Sequence, residues 1–253
     1  MSLSQDRPAA SPRFRAALLA LLFIAPIQLI GTTTAMVWFP DATWAKVGFG
    51  IAKVLLMLAP LAWLIKVEKV KPRIPKWKGF PFGPGMLWAH ATGVLIFVII
   101  AGAYYGFGKA WIDTGPMLEK VRQMGLDNIW LYLAGALYWC TVNSMLEEYF
   151  WRWFIFSRLR DVLPTPGSSS VFAWPTLVAI VACGLLFTAH HVVALKVYFD
   201  WNITLLGSLG CFIGSVTWSI LYLKTKNIYT AYVSHVYPDL IIFYIGWELI
   251  FAG

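Results

Sequence analysis

The sequence predicts an all-α, polytopic membrane bundle of about seven transmembrane helices with its N-terminus in the cytoplasm, and three observations lead there. Of 253 residues, 59% are hydrophobic and 13% charged, with a mean hydropathy of +0.68, a composition that calls for hydrocarbon rather than water as solvent. Apolar runs of about 20 residues, long enough to cross a hydrocarbon core of about 30 Å, recur along the chain. Basic residues fall between those runs instead of forming one patch. The formal charge of +8 is therefore read as orientation by the positive-inside rule, and no nucleic-acid partner is expected.

The first span, Ala16 to Phe39, follows a short basic start. It exceeds a signal-peptide apolar region and lacks a small-x-small cleavage site, so it is expected to stay as a helix. Trp44 to Ile65 and Met86 to Phe107 give the second and third spans, separated by a basic, proline-broken loop from Lys66 to Pro84. The mixed charges of Lys109 to Asp127 predict a short helix lying on the surface. Four more spans follow: Ile129 to Phe156, Pro175 to Leu195, Ile203 to Leu223 and Ile228 to Phe251. Neither intervening stretch can hold a second domain, which leaves one integral membrane domain over residues 1–253. Cys140, Cys183 and Cys211 all fall inside apolar runs, without the close spacing of a metal clip, and read as small core residues.

Charge then orients the chain. The segments expected inside hold Arg7, Arg13, Arg15, Lys66, Lys69, Lys71, Arg73, Lys76, Lys78, Arg152, Arg158, Arg160, Lys224 and Lys226, against Lys109, Lys120, Arg122 and Lys196 outside. Fourteen against four places the N-terminus in the cytoplasm. Lys46 and Lys53 lie within the second span. The loop from Lys69 to Lys78, with Trp77 among its lysines, either rests on anionic lipid headgroups or merely sets topology.

Ionisable residues inside hydrocarbon cost a few kcal/mol on insertion scales of about 2.5–3.5, so they are functional-site candidates by default. On the fourth span Asn143 precedes Glu147 by four and Ser144 precedes Glu148 by four, which stacks them into one polar stripe. Glu148 and Arg152 share the same spacing and can pair, so that one carboxylate supports while its neighbour reacts. The plainer reading is a Glu–Arg clamp at a helix end. His190 and His191 close the fifth span, and His235 and Asp239 stand four apart on the seventh, around Pro238, which frees the carbonyl of Ser234 and bends the helix. A His–Asp bond bracing that bend is the plainer reading there. His90, near the start of the third span, is expected at the interface.

Together these residues spell EExxxR at Glu147, Glu148 and Arg152, FxxxH at Phe187 and His191, and HxxxD at His235 and Asp239. In that order, on successive apolar spans, the chain resembles the CAAX prenyl protease and bacteriocin-processing (Abi) family of intramembrane endopeptidases, over a catalytic core at residues 129–253. The resemblance implies a helical bundle with a wet cavity that hydrolyses a peptide bond of a membrane-anchored, lipidated or leader-bearing protein, prenylated or not. It implies Glu147 as the base that activates water, His191 as a second hold on that water, Glu148 and Arg152 as a supporting pair, and His235 as oxyanion donor. Asp239 departs from the asparagine the family often carries, so it is either protonated or orients His235 instead, and the second role is the one expected. His190 becomes the active histidine only if the register shifts by one.

No HExxH is present, and the resemblance implies a glutamate-dependent hydrolase, so no cofactor is expected, with metal assistance left open. Two other functions remain: a membrane carrier or proton relay, and a non-catalytic immunity or scaffold protein of the same fold. The compact chain without extra domains suggests a bacterial inner membrane. Depth is the hardest test. At 1.5 Å per residue Glu147 lies about 16 Å from Arg158, whereas His191 lies about 24 Å from Pro175.

Overall fold

The computed structural model describes residues 12–71, 82–83, 85–163 and 170–252. Arg7, Arg73, Lys76, Trp77 and Lys78 lie outside them, and with these most of the expected lipid-facing loop. Among the described residues there are helices, turns and no strands. Six helices are long and apolar enough to cross a membrane: α1 (Arg13–Trp38), α2 (Thr43–Lys66), α3 (Met86–Trp111), α5 (Ile129–Val162), α6 (Trp174–Tyr198) and α7 (Trp201–Thr225). Between α3 and α5, α4 (Thr114–Gln123) is the expected short amphipathic helix, with Met117 and Val121 buried. The last helix, α8 (Ile228–Trp247), runs on through Pro238 and carries Ser234, His235 and Asp239, which lower its apolarity below that of the six.

Local chemistry sets the helix starts. The side chains of Asp113, Asn128, Asp200 and Asn227 accept from backbone N–H groups at the first turns of α4, α5, α7 and α8, which satisfies donors a helix cannot pair internally. Helix α1 is interrupted at Ile24 to Pro26, where Pro26 has no N–H to give, and helical bonding resumes at Ile27. The interruption puts Gln28 one residue into the resumed helix.

Packing makes α5 the centre of the bundle. Its Phe150, Trp151, Phe154, Ile155 and Phe156 are buried in one core with Phe187 and Cys183 of α6 and Trp218 of α7. Helix α6 lies along α7, and α8 lies along both α3 and α7. Long apolar side chains such as Leu55, Val98, Leu133, Leu205 and Ile242 face outward around the bundle, as expected where lipid tails replace water. At the end expected to face the cytoplasm, Arg158 pairs with Glu68 and, at 3.4 Å, with Asp161, while Arg13 reaches Asp161 at 3.0 Å, joining α1, the segment just after α2, and α5.

Gly31 of α1 faces α2 so closely that a Cβ there would stand 2.8 Å from Cβ of Ala52. Both atoms are fixed to backbone, so Gly31→Ala must push the helices apart and is expected to destabilise by about 1–3 kcal/mol. Thermal unfolding in detergent would show this as a lower midpoint; an unchanged one would mean that the α1–α2 contact is loose.

Candidate functional site

The site is assembled on the middle of α5. Ser144 to Glu148 are α-helical, but π-helical turns flank them at Tyr138–Asn143 and Tyr149–Phe156. A π turn bonds five residues apart rather than four and turns a short segment relative to the rest of the helix. Here Ser144 Oγ reaches back to the carbonyl of Trp139 at 2.7 Å.

Glu147 is buried, and its Oε1 accepts from Asn143 Nδ2 at 3.0 Å and from Gln28 Nε2 at 3.2 Å. Gln28 is fixed in turn, because its Oε1 accepts from the indole N–H of Trp151 at 3.3 Å. Lys53 Nζ donates to Asn143 Oδ1 at 2.8 Å. Two amides and one cation from three helices thus hold a single carboxylate. Gln28 and Lys53 were not singled out by motif spacing, yet the signal was present: each is a strongly polar residue within an apolar span.

The second acid has a different setting. Glu148 is fully buried, pairs with Arg152 at 3.2 Å and accepts from His235 Nδ1 at 2.8 Å. The Arg152 guanidinium lies over Phe187 and Trp218, at 4.7 and 5.0 Å from their ring centres, and Trp218 also stacks on His235 at 3.7 Å. Aromatic faces suit a cation that has left water.

His235 has a carboxylate near each of its ring nitrogens. The hydrogen bond that fixes that ring comes from Glu148, and Asp239 stands 3.8 Å from Nε2. Asp239 instead accepts from Ser144 Oγ at 2.6 Å, so Ser144 serves the carboxylate of α8 rather than Glu148 one turn away. His235 Nε2 is turned toward Glu147 Oε2, 3.9 Å away.

Helix α6 brings both of its histidines to Glu147. Ligand atoms of Glu147, His190 and His191 all lie within 4.8 Å of one another, a grouping able to hold a metal ion. His191 Nδ1 is 3.0 Å from the carbonyl of Phe187; a carbonyl only accepts, so Nδ1 carries the proton and Nε2 keeps its lone pair. FxxxH is therefore one helical turn closed by the ring itself. His190 Nε2 is 3.9 Å from Glu147 Oε1.

The apparent depth mismatch disappears because α5 continues to Val162. Counted from there, Glu147 is about 22 Å along its helix, and His191 about 25 Å from the start of α6, less than one turn apart. His191 and Asp239 are the partly exposed members, the Asp239 side chain by 20%, so the cluster opens on their side. His90 stands apart, half-buried and bonded through Nδ1 to the hydroxyl of Tyr237 at 2.9 Å. Arg152, placed among the cytoplasmic charges by the sequence, is wholly enclosed and contributes nothing to the loop bias.

Residues 129–241 match the model of a family described as type II CAAX prenyl endopeptidase, Rce1-like. The matched segment contains Glu147, Glu148, Arg152, His191, His235 and Asp239; Gln28 and Lys53 lie before it. Comparison with curated proteins and with solved structures gave no match.

Proposed function

We infer, for an integral membrane protein whose residues 129–241 match the model of the Rce1-like family of type II CAAX prenyl endopeptidases, that Glu147 activates a water molecule to hydrolyse a peptide bond of a membrane-associated protein. The observation that carries this reading is the convergence of Glu147, His191 and His235, from three helices, on one buried but one-sidedly open cluster.

Glu147 Oε1 is occupied by the two amides, which leaves Oε2 to take a proton from water. A carboxylate fixed in this way needs no reorganisation as the proton moves. His191 offers the Nε2 lone pair as a second acceptor for the same water. His235, with Nδ1–H committed to Glu148, can donate from Nε2 to an oxyanion only as the imidazolium, and the carboxylates of Glu147 and Asp239 face that nitrogen at 3.9 and 3.8 Å. Glu148 and Arg152 position the ring without touching substrate. Because Gln28 and Lys53 complete the Glu147 shell, the functional unit includes α1 and α2 and not the segment from 129 onward alone.

The test compares membrane proteins from cells producing the wild type or Glu147→Ala at equal levels, by mass spectrometry of their N- and C-terminal peptides. New termini are expected only with the wild type; identical sets of termini in the two would end the protease reading.

Lys53 gives a finer test. Lys53→Met removes the donor that fixes Asn143 and is expected to lower kcat by up to about 100-fold, through misplacement of the carboxylate, with little change in KM. Lys53→Arg should recover part of the loss. A kcat equal to that of the wild type would separate Lys53 from the reaction.

A further inference from the structure

His190 has no part in the reading above, yet its surroundings call for one. The residue is 5% exposed, and neither ring nitrogen makes a hydrogen bond. Native interiors rarely leave an imidazole in that condition without a ligand, a water or a catalytic role to account for it. Its Nε2 faces Glu147 Oε1 at 3.9 Å, and its ring centre is 4.0 Å from that of His191.

The three groups make a coherent donor set. Two imidazoles and one carboxylate, leaving a fourth position open, are the ligands that zinc accepts when it retains a water or substrate site. Supporting groups are already present, as metal sites require: the Phe187 carbonyl fixes the His191 tautomer with Nε2 free, and Gln28 and Asn143 hold the Glu147 carboxylate. Zinc bonds of about 2.0–2.1 Å place tetrahedral ligand atoms roughly 3.4 Å apart, so ligand atoms that lie within 4.8 Å of one another must draw together by up to about 1.4 Å.

We propose that Glu147, His190 and His191 form a binding site for a divalent transition-metal ion, with Zn²⁺ the ion their nitrogen and oxygen donors suit. The inference does not rest on the protease reading. The ion and the proton-accepting role draw on the same carboxylate, so the metal-bound form is a state separate from the one in which Glu147 deprotonates water.

The full-length protein, purified in detergent and stripped with a chelator, is titrated with Co²⁺ as a visible probe and with Zn²⁺ measured by elemental analysis. One equivalent is expected in the wild type, with the visible bands of four-coordinate cobalt, and His190→Ala and Glu147→Gln should each weaken binding by at least tenfold. Zn²⁺ should raise the unfolding midpoint of the wild type but not of His190→Ala, a contrast that also shows whether the variant is folded. His235→Ala, outside the donor set, should retain the metal. No uptake by the wild type, uptake undiminished in His190→Ala, or loss equally severe in His235→Ala would each overturn the proposal. Because every readout is metal content or stability, failure of the protease reading leaves this test intact.

Discussion

Replacing Glu147 by Gln is expected to lower the hydrolytic rate by roughly 1,000-fold, within the 10²–10⁴ that a positioned base supplies, while the protein still folds. The amide keeps the shape of the carboxylate, and its carbonyl oxygen can still accept from both amide donors, but it cannot take a proton from water. Gln28 and Asn143 both donate to Oε1, so the amide of the variant fits only with its carbonyl oxygen on that side, leaving an NH₂ group where Oε2 stood. A donor then faces His235 Nε2 in place of an acceptor. Glu147→Asp provides the contrast: it keeps the base but withdraws it by about one methylene, so it should retain more activity than Glu147→Gln. Rates measured on a substrate identified from the terminal peptides decide the matter. If Glu147→Gln hydrolyses as fast as the wild type, another group removes the proton; if Glu147→Asp is the slower of the two, the residue matters for shape rather than basicity.

Much of this site could be read from the chain because it repeats at helical spacing. Asn143 to Glu147, Glu148 to Arg152 and Phe187 to His191 are each four apart, and each makes the contact its spacing allows. His235 and Asp239 are also four apart, yet their hydrogen bonds run to Glu148 and Ser144 on α5. Spacing along one helix says nothing of what a neighbouring helix presents. Gln28 and Lys53 are obscure for the same reason, because they belong to the site only through the packing of α1 and α2 on each other, close at Gly31, and against α5.

His190 and His191 illustrate a related limit. Adjacent helical residues point about 100° apart, so pattern matching selects one of them. A large side chain such as Glu147, rising between them from another helix, can meet both. The expected helix ends lie within about four residues of the observed ones except at α5, whose six further residues to Val162 are enough to remove the apparent mismatch in depth. The π-helical turns beside Glu147 have no sequence signature that periodicity could have caught.

Arg152 carries the largest expected effect on stability. Arg152→Met leaves Glu148 fully buried with His235 as its remaining partner, and breaking a buried ion pair from one side costs about 3–5 kcal/mol. For a chain of this size that corresponds to a midpoint lower by roughly 10 °C. The loss is not a measure of how much the pair contributes, since most of it reflects the carboxylate left behind. Glu148→Gln alone should be less severe, because its Arg152 still lies over Phe187 and Trp218. In the double variant Glu148→Gln, Arg152→Met neither charge is left without its counter-ion, and its stability should recover to well above that of Arg152→Met. Those three variants with the wild type form a closed cycle, and a coupling of about 1–3 kcal/mol is expected for groups in direct contact. Hydrolysis should not recover with stability, because the ring of His235 would have lost the carboxylate that fixes its Nδ1. A double variant as unstable as Arg152→Met would mean that the guanidinium acts through packing against the two rings and not through its charge; one that is stable and fully active would show that Glu148 does not hold His235 for the reaction.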